Sequence, residues 1–261
     1  MITSRSNSQL KDLTKLMKKT GARREAQTYV IEGKKMFFEL LSEAPELLIK
    51  AYWAESALSG LSDTERELVS NCGFETVSDS VFDAVAETVT PQGVLALVKM
   101  PRNTVEELAD TGKNLLLLET IQDPGNLGTM LRTAEAAGFG GIILSADSVD
   151  AYSPKVVRAT MGAVFRVPFV YEEDFPGMLK KLQERGYRLF AAHLKGSVSY
   201  NEADYRGKAG ILIGNEGNGL TEEAAATCDM RVRIPMEGKA ESLNAAVAAA
   251  ILMYEAKKAG Q

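Results

Sequence analysis

Histidine and tryptophan each occur once in the 261 residues, and cysteine only twice. Cys72 and Cys228 lie far apart and near no histidine cluster, which argues against both a disulfide framework and a zinc site. Thiols used this sparingly suit a reducing cytoplasm. No apolar run approaches the roughly 20 residues that a membrane span needs. The opening MITSRSNSQLKDLTKLMKK is polar and basic where a secretory signal would be apolar. The chain therefore reads as a soluble protein that is not exported. With 45% hydrophobic and 25% charged residues it has the composition of a globular protein. Its length suits two modest domains, each with its own core.

A positive net charge is also missing. The formal value is -5, but the distribution along the chain matters more than the sum. Residues 1–35 carry nine Lys or Arg against three Asp or Glu, which gives +6 there and leaves -11 for the remainder. Lys11, Lys15, Lys18 and Lys19 fall on a predicted helix near 7–19 whose apolar side is Leu10, Leu13, Leu16 and Met17. Charge alone leaves two readings open. One is a solvated helix face. The other is an RNA-contacting arm in which Lys15, Lys18, Lys19, Arg23 and Arg24 meet phosphates.

What is present along the chain is alternation. Strand-length apolar runs at 28–33, 47–54, 74–78 and 93–100 are interleaved with helical patterns, which predicts a small α/β domain over 1–100. Residues 101–113 are polar, hold Pro101 and Gly112, and are expected to be a linker. From 114 onward, runs at 114–119, 140–145, 165–170, 187–193, 210–214 and 230–235 alternate with helical segments, the pattern of a mostly parallel sheet covered on both faces. An alanine-dense helix over 242–258 closes this second domain, 114–261.

A sheet of this kind invites a dinucleotide site, yet no G-x-G-x-x-G follows its first strand. The densest glycine loop is IGNEGNGL at 213–220, after the fifth strand. Its glycines Gly214, Gly217 and Gly219 are expected to adopt positive φ and to let the backbone approach a ligand closely. Arg132 projects from a helix one turn after Gly128, where its forked donors suit phosphate or ribose oxygens. The bland alternative is a surface ion pair with Glu135 or another acid. Ser242 is expected to cap the last helix, with Asn244 in its first turn.

Three segments, 123–139 (DPGNLGTMLRTAEAAGF), 153–169 (SPKVVRATMGAVFRVPF) and 213–250 (IGNEGNGL through IPMEGKAESLNAAVAAA), together closely resemble the three motifs of the SpoU or TrmH-type RNA ribose methyltransferases of the SPOUT superfamily. The front of the chain, with SRSNSQLKDLTKL and YVIEGKKMFFELL, is similar to the RNA substrate-binding domain that precedes the catalytic domain in many members. The resemblance implies a SPOUT-type α/β knot, a catalytic domain with a C-terminal deep trefoil knot, behind a small α/β domain of L30e-like type. It implies S-adenosyl-L-methionine as methyl donor, a homodimer, and no metal.

On the same resemblance, Asn126, Arg132, Glu216, Ser242 and Asn244 are active-site residues. Gly214, Ile234, Met236 and Leu243 are carried over to the cofactor pocket, with Ile234 and Leu243 as apolar walls for adenine. Members often assign Arg132 as the base for the 2'-hydroxyl. A guanidinium is effectively never deprotonated, so stabilising a developing alkoxide is the easier task for it. The second motif, with Arg158, Thr160 and Arg166, is expected to support the dimer and the cofactor loop without a catalytic role. His193 coincides with no motif and is left outside the site. The expected substrate is 23S ribosomal RNA, with transfer RNA or a non-catalytic RNA-binding role as the alternatives.

Overall fold

The first helix begins where the sequence supplies a cap. Asn7 accepts a hydrogen bond from Gln9 N, satisfying one of the free amides of the first turn. Helix α1 (Ser8–Lys18) then buries Leu10, Leu13, Leu16 and Met17 and leaves Lys11, Lys15 and Lys18 exposed. There follow α2 (Thr20–Ala26), β1 (Thr28–Glu32), α3 (Lys34–Glu43) and β2 (Leu48–Ala54). Next come α4 (Glu55–Ser59), α5 (Asp63–Ser70), β3 (Phe74–Val77), α6 (Asp79–Val85) and β4 (Val94–Lys99). The four strands form one mixed sheet in the order β1-β4-β2-β3, with β4 antiparallel to both neighbours and β3 parallel to β2.

The computed structural model describes residues 1–194 and 198–259. They form two units, one of Met1–Pro101 with Asp150–Phe165, the other of Arg102–Val149 with the chain from Arg166 onward. The second unit begins with α7 (Val105–Asp110), β5 (Leu115–Leu118), α8 (Pro124–Ala137) and β6 (Gly141–Ser145). After α9 (Pro154–Thr160), which belongs to the first unit, come β7 (Phe169–Glu172), α10 (Phe175–Glu184), β8 (Tyr187–Ala192) and β9 (Val198–Ser199). Strand β10 (Lys208–Ile213), α11 (Glu222–Thr227), β11 (Met230–Arg233) and α12 (Ala245–Ala259) complete it.

These strands make an entirely parallel sheet in the order β7-β6-β5-β10-β8-β11-β9. The all-leucine β5 is buried along its whole length, as a strand covered on both faces requires. From β5 the chain moves by α8 to β6 on one side. From β10 it moves by α11 to β11 on the other. The two neighbouring strands thus send their following loops apart and leave a crevice at their carboxyl ends, where open α/β sheets bind ligands.

Three expectations shift in position. Residues 101–113 hold α7, with a capping box between Thr104 and Glu107. Val105, Leu108 and Ala109 of that helix are buried in the core of the second unit. A polar surface had masked one short apolar face. The strand expected over 165–170 starts only at Phe169, because Pro168 has no N–H to give to the ladder. The last helix starts at Ala245 rather than at 242. No helix among the described residues is long and apolar enough to cross a membrane.

The segment Asp150–Phe165 folds as part of the first unit. Arg23, only 3% exposed, donates from Nε and Nη2 to Asp150 Oδ2 at 2.8 and 2.6 Å and from Nη1 to the carbonyls of Leu16 and Met17. It is therefore consumed by the fold and does not belong with the exposed cations expected to meet RNA. Removing one partner of a buried pair leaves a charge without compensation. Asp150→Asn should cost the first unit about 3 kcal/mol, read as a lowered urea midpoint in the fluorescence of Trp53, which is buried in β2. An unchanged midpoint would contradict this account of Arg23.

Candidate active site

The site grows from the loop that leaves β5. Asp123 caps α8 by accepting from Asn126 N at 2.8 Å, and Pro124 occupies the first turn, where no amide partner is missed. That cap buries Asn126 beneath the loop. Facing it is the loop after β10. Asn215 and Gly219 exchange backbone hydrogen bonds at 3.0 and 2.9 Å, and Asn215 Oδ1 accepts from the amides of Gly217 and Asn218. The far end of the loop is tied back to β5, because the buried Glu119 carboxylate accepts from both Thr221 N and Thr221 Oγ1 at 2.8 and 2.7 Å.

The expectation of positive φ holds for one of the three glycines of this loop. Only Gly219 has positive φ, at 71°. A Cβ on Gly214 would stand 2.3 Å from Gly219 C and Leu220 N, so Gly214 is demanded by backbone crossing backbone. Gly217 has neither constraint.

Glu216 reaches from this loop to the other. Its Oε2 accepts from Gln122 N at 3.1 Å, and Oε1 accepts from Asp123 N and Asn126 Nδ2, both at 3.0 Å. An acceptor-only carboxylate forces the Asn126 amide to turn its nitrogen toward Glu216. Its oxygen then accepts from Asn244 Nδ2 at 2.9 Å. Asn244 Oδ1 in turn accepts from Ala246 N and Val247 N at the start of α12. Asn244, not Ser242, is therefore the cap of the last helix. Its amide offers both a donor and an acceptor, which a single hydroxyl could not direct in opposite senses so firmly.

Burial alone would push the Glu216 carboxyl up. The donations from Asn126, then Asp123 and Gln122, outweigh it and hold this carboxyl below the ordinary carboxylate range. Such a group is a poor proton acceptor. It acts as a fixed negative charge that orients Asn126.

Beside this chain of side chains lies a cavity of about 250 Å³, close to the lower end of the roughly 300–1,000 Å³ usual for small-molecule sites. Gly214, Ile234, Met236 and Leu243 all line it, with Glu216 and Ser242 on its wall and Val232 and Leu252 adding apolar surface. His193 lines it as well. Motif reasoning passed over that histidine, although its place just after β8, at the carboxyl ends of the parallel strands, was a usable signal.

Arg132 stands apart from these groups. It lies six residues beyond Asn126 on α8, which turns it about 120° around the helix. Arg132 is exposed and makes no hydrogen bond or ion pair among the described residues. Glu135, the partner of the bland alternative, is engaged by Arg166. The forked donors of Arg132 are thus open to solvent on the same unit as the cavity. Arg158 pairs instead with Glu32 and Glu87, and Thr160 is fully buried with its hydroxyl given to Val157 O. No group of three or more His, Cys, Asp or Glu is arranged to hold a metal among the described residues. Burial also pushes the Cys228 thiol up to about 12 and raises that of Cys72.

Known proteins resemble the chain over both of its parts. Residues 113–254 match the SpoU rRNA Methylase family, and residues 7–96 match the MRM3-like substrate binding domain. The 23S rRNA (guanosine(2553)-2'-O)-methyltransferase RlmP of Bacillus subtilis is 36% identical over 97% of both chains. The 23S rRNA (guanosine-2'-O-)-methyltransferase RlmB of Xanthomonas campestris is 32% identical over 81% of this chain and 87% of its own. The crystal structure of an AdoMet-bound rRNA methyltransferase from Sinorhizobium meliloti superposes with a TM-score of 0.85 at 31% identity, covering 98% of this chain and 97% of that one. With the methylase match spanning more than half of the chain and a relative 36% identical spanning 97% of it, this protein belongs to the SpoU rRNA methylase family.

Proposed function

We propose that this chain transfers a methyl group from S-adenosylmethionine to a ribose 2'-hydroxyl of ribosomal RNA. The observation that carries the reading is the convergence of Gly214, Ile234, Met236 and Leu243 on one cavity, with Glu216 on its wall and hydrogen-bonded to Asn126. That cavity fits the methyl donor. Ile234, Leu243, Val232 and Leu252 give it apolar walls for a purine, and the Glu216 carboxylate provides negative charge beside a cationic ligand. When bound, S-adenosylmethionine supplies an electrophilic methyl group carried on a sulfonium.

The remaining work falls to the chain's own residues. Gly214 and Met236 present backbone groups to adenine, and the apolar walls exclude water from it. Asn126 and Asn244, locked by Glu216 and by the first turn of α12, give the ribose a fixed polar surface. Ser242 makes no hydrogen bond among the described residues and offers its hydroxyl at the cavity wall. Arg132 would hold the ribose–phosphate and stabilise the 2'-oxygen as its proton passes to solvent water, a task for a permanently charged donor.

The first unit acts as the substrate-binding domain and the second as the catalytic domain. Exposed Lys11, Lys15, Lys18, Lys19 and Arg24 give the first of these a basic face for phosphates. The RlmP relative named for 23S rRNA aligns over 97% of this chain, and so over this region as well as the catalytic one. The chain works in the cytoplasm as a homodimer with a trefoil-knotted catalytic domain. Val247 and Tyr254, exposed seven residues apart on α12, supply an apolar face for the second copy.

Three outcomes test this reading. Gly214→Ala places a methyl group against the Gly219–Leu220 backbone, so the cavity wall must move. Affinity for S-adenosylmethionine in titration calorimetry should fall at least tenfold, about 1.4 kcal/mol, while the circular dichroism spectrum stays that of the parent. Parental affinity would remove Gly214 from the pocket. Arg132→Ala should reduce methyl transfer to 23S rRNA on the order of 100-fold or more with cofactor affinity intact, and normal turnover would dismiss its assigned role. Alanine at Lys15, Lys18, Lys19 and Arg24, with Arg23 kept, should weaken RNA binding and flatten its dependence on salt, since fewer counterions are released. An unchanged slope would return α1 to a solvated face.

A further inference from the structure

Thr120 lies between β5 and the loop that holds Glu216, in a backbone conformation that a β-branched residue rarely adopts. Its φ is 55°, and of the three non-glycine residues with positive φ among those described, Gln27, Thr120 and Met161, it alone is β-branched. Glycine would take this conformation without strain. A threonine that persists here must be held by its surroundings, and all three of its polar groups are in use. Thr120 N donates to Ser145 Oγ at 2.7 Å, Thr120 Oγ1 donates to Asp147 Oδ2 at 2.8 Å, and Thr120 O accepts from Asn215 Nδ2 at 2.8 Å.

The hydrogen bonds continue on either side. Ser145 Oγ donates to Asp147 Oδ1 at 2.6 Å, so that one carboxylate grips both the serine and the threonine. Ile121 N donates to Ser148 Oγ, Val149 N donates to Ile121 O, and Gln122 Nε2 donates to Asp147 O. The turn at 120–122 is thereby fastened to the loop after β6, and Asn215 fastens it to the loop after β10. The next two amides along the chain, those of Gln122 and Asp123, are the ones that point at Glu216.

We propose that Thr120, Ser145 and Asp147 are positioning residues for methyl transfer, which set the turn whose amides hold Glu216 and, through it, Asn126 and Asn244. The proposal rests on reading that trio as part of the methyl-transfer site. Its physical basis is preorganisation. Groups that must meet a substrate within a few tenths of an ångström are held by neighbours with fixed partners of their own. The hydroxyl of Thr120 accounts for the choice of threonine over glycine, since glycine would keep the turn but lose the grip of Asp147. Consistent with that grip, the hydrogen bond from Ser145, acting against burial and joined by that from Thr120, holds the Asp147 carboxyl below its ordinary range.

The test uses the full chain. Thr120→Val keeps the shape of the side chain and removes the hydroxyl, and Thr120→Ser keeps the hydroxyl. Asp147→Ala breaks the same bond from an exposed loop and serves if Thr120→Val does not fold. The Glu216 carboxyl is titrated by ¹³C NMR in glutamate-labelled protein without cofactor, its signal assigned by its loss in Glu216→Gln. Asp123, the neighbouring carboxylate, is distinguished by being unlabelled. In Thr120→Val or Asp147→Ala, Glu216 should titrate nearer the ordinary glutamate value of about 4.3, and Thr120→Ser should match the parent. Single-turnover methyl transfer to in vitro transcribed 23S rRNA should fall on the order of 10- to 100-fold in the hydroxyl-free variant, with S-adenosylmethionine affinity unchanged.

A folded variant lacking the Thr120–Asp147 bond that transfers methyl at the parental rate overturns the proposal, whatever its melting temperature and wherever Glu216 titrates. Glu216→Gln separates the two levels of argument. If it transfers methyl normally, the reading of the trio itself fails. If it is impaired while Thr120→Val and Asp147→Ala are not, only the positioning role fails.

Discussion

The carboxylate of Glu216 gathers two amides from the loop after β5 and the side-chain amide of Asn126 in α8, while its own backbone lies in the loop after β10. Every other feature of the site depends on that bridge. Strands β5 and β10 are neighbours, but the helices that follow them depart in opposite directions, and nothing in the sheet itself closes the crevice between their ends. Glu216 closes it. Asn126 extends the bridge to Asn244, and Asn244 ends it on the first amides of α12. Glu216 and Asn244, 90 and 118 residues beyond Asn126, are thus joined to it by one line of hydrogen bonds. The line is polarised in one sense, from the positive end of a helix to a carboxylate held ionised.

The cavity beside this line depends on backbone packing more than on side-chain bulk. Gly214 lets the chain pass within contact of Gly219 and Leu220, the Asn215–Gly219 pairing closes the loop on itself, and Glu119 anchors its exit at Thr221. A loop so tied presents backbone groups at fixed positions, which suits a ligand recognised largely through main-chain contacts between apolar walls.

In the first unit, charge is divided by depth. Arg23 is withdrawn into a pair with Asp150 and into the carbonyls of Leu16 and Met17, which ties the α1–α2 corner to a segment distant in sequence. The lysines of α1 remain outside. Buried and exposed cations thus lie only a few residues apart, and counting positive charges along the chain does not tell them apart.

Periodicity made the α/β alternation legible, because side chains in strands and helices face a core at different spacings. The strands over 28–32, 48–54, 74–77 and 94–99 and most of the parallel sheet were readable in this way. The pattern N-x-G-x-x-x-R and the loop GNEGNG were readable through resemblance, because short motifs preserve local backbone needs. Helix α7 was not, since a six-residue helix shows too little period to reveal its one buried face. The partners of charged groups were not legible either. That Glu135 meets Arg166 and not Arg132, that Arg23 meets Asp150, and that Asn244 rather than Ser242 caps α12 are decided by groups brought together across the fold. By itself the sequence determined most of the alternation of strands and helices, the family and the residue types available to the site. Only the tertiary structure decided which donor meets which acceptor, because a hydrogen bond depends on positions within tenths of an ångström that residues a hundred apart acquire only when the sheet has formed.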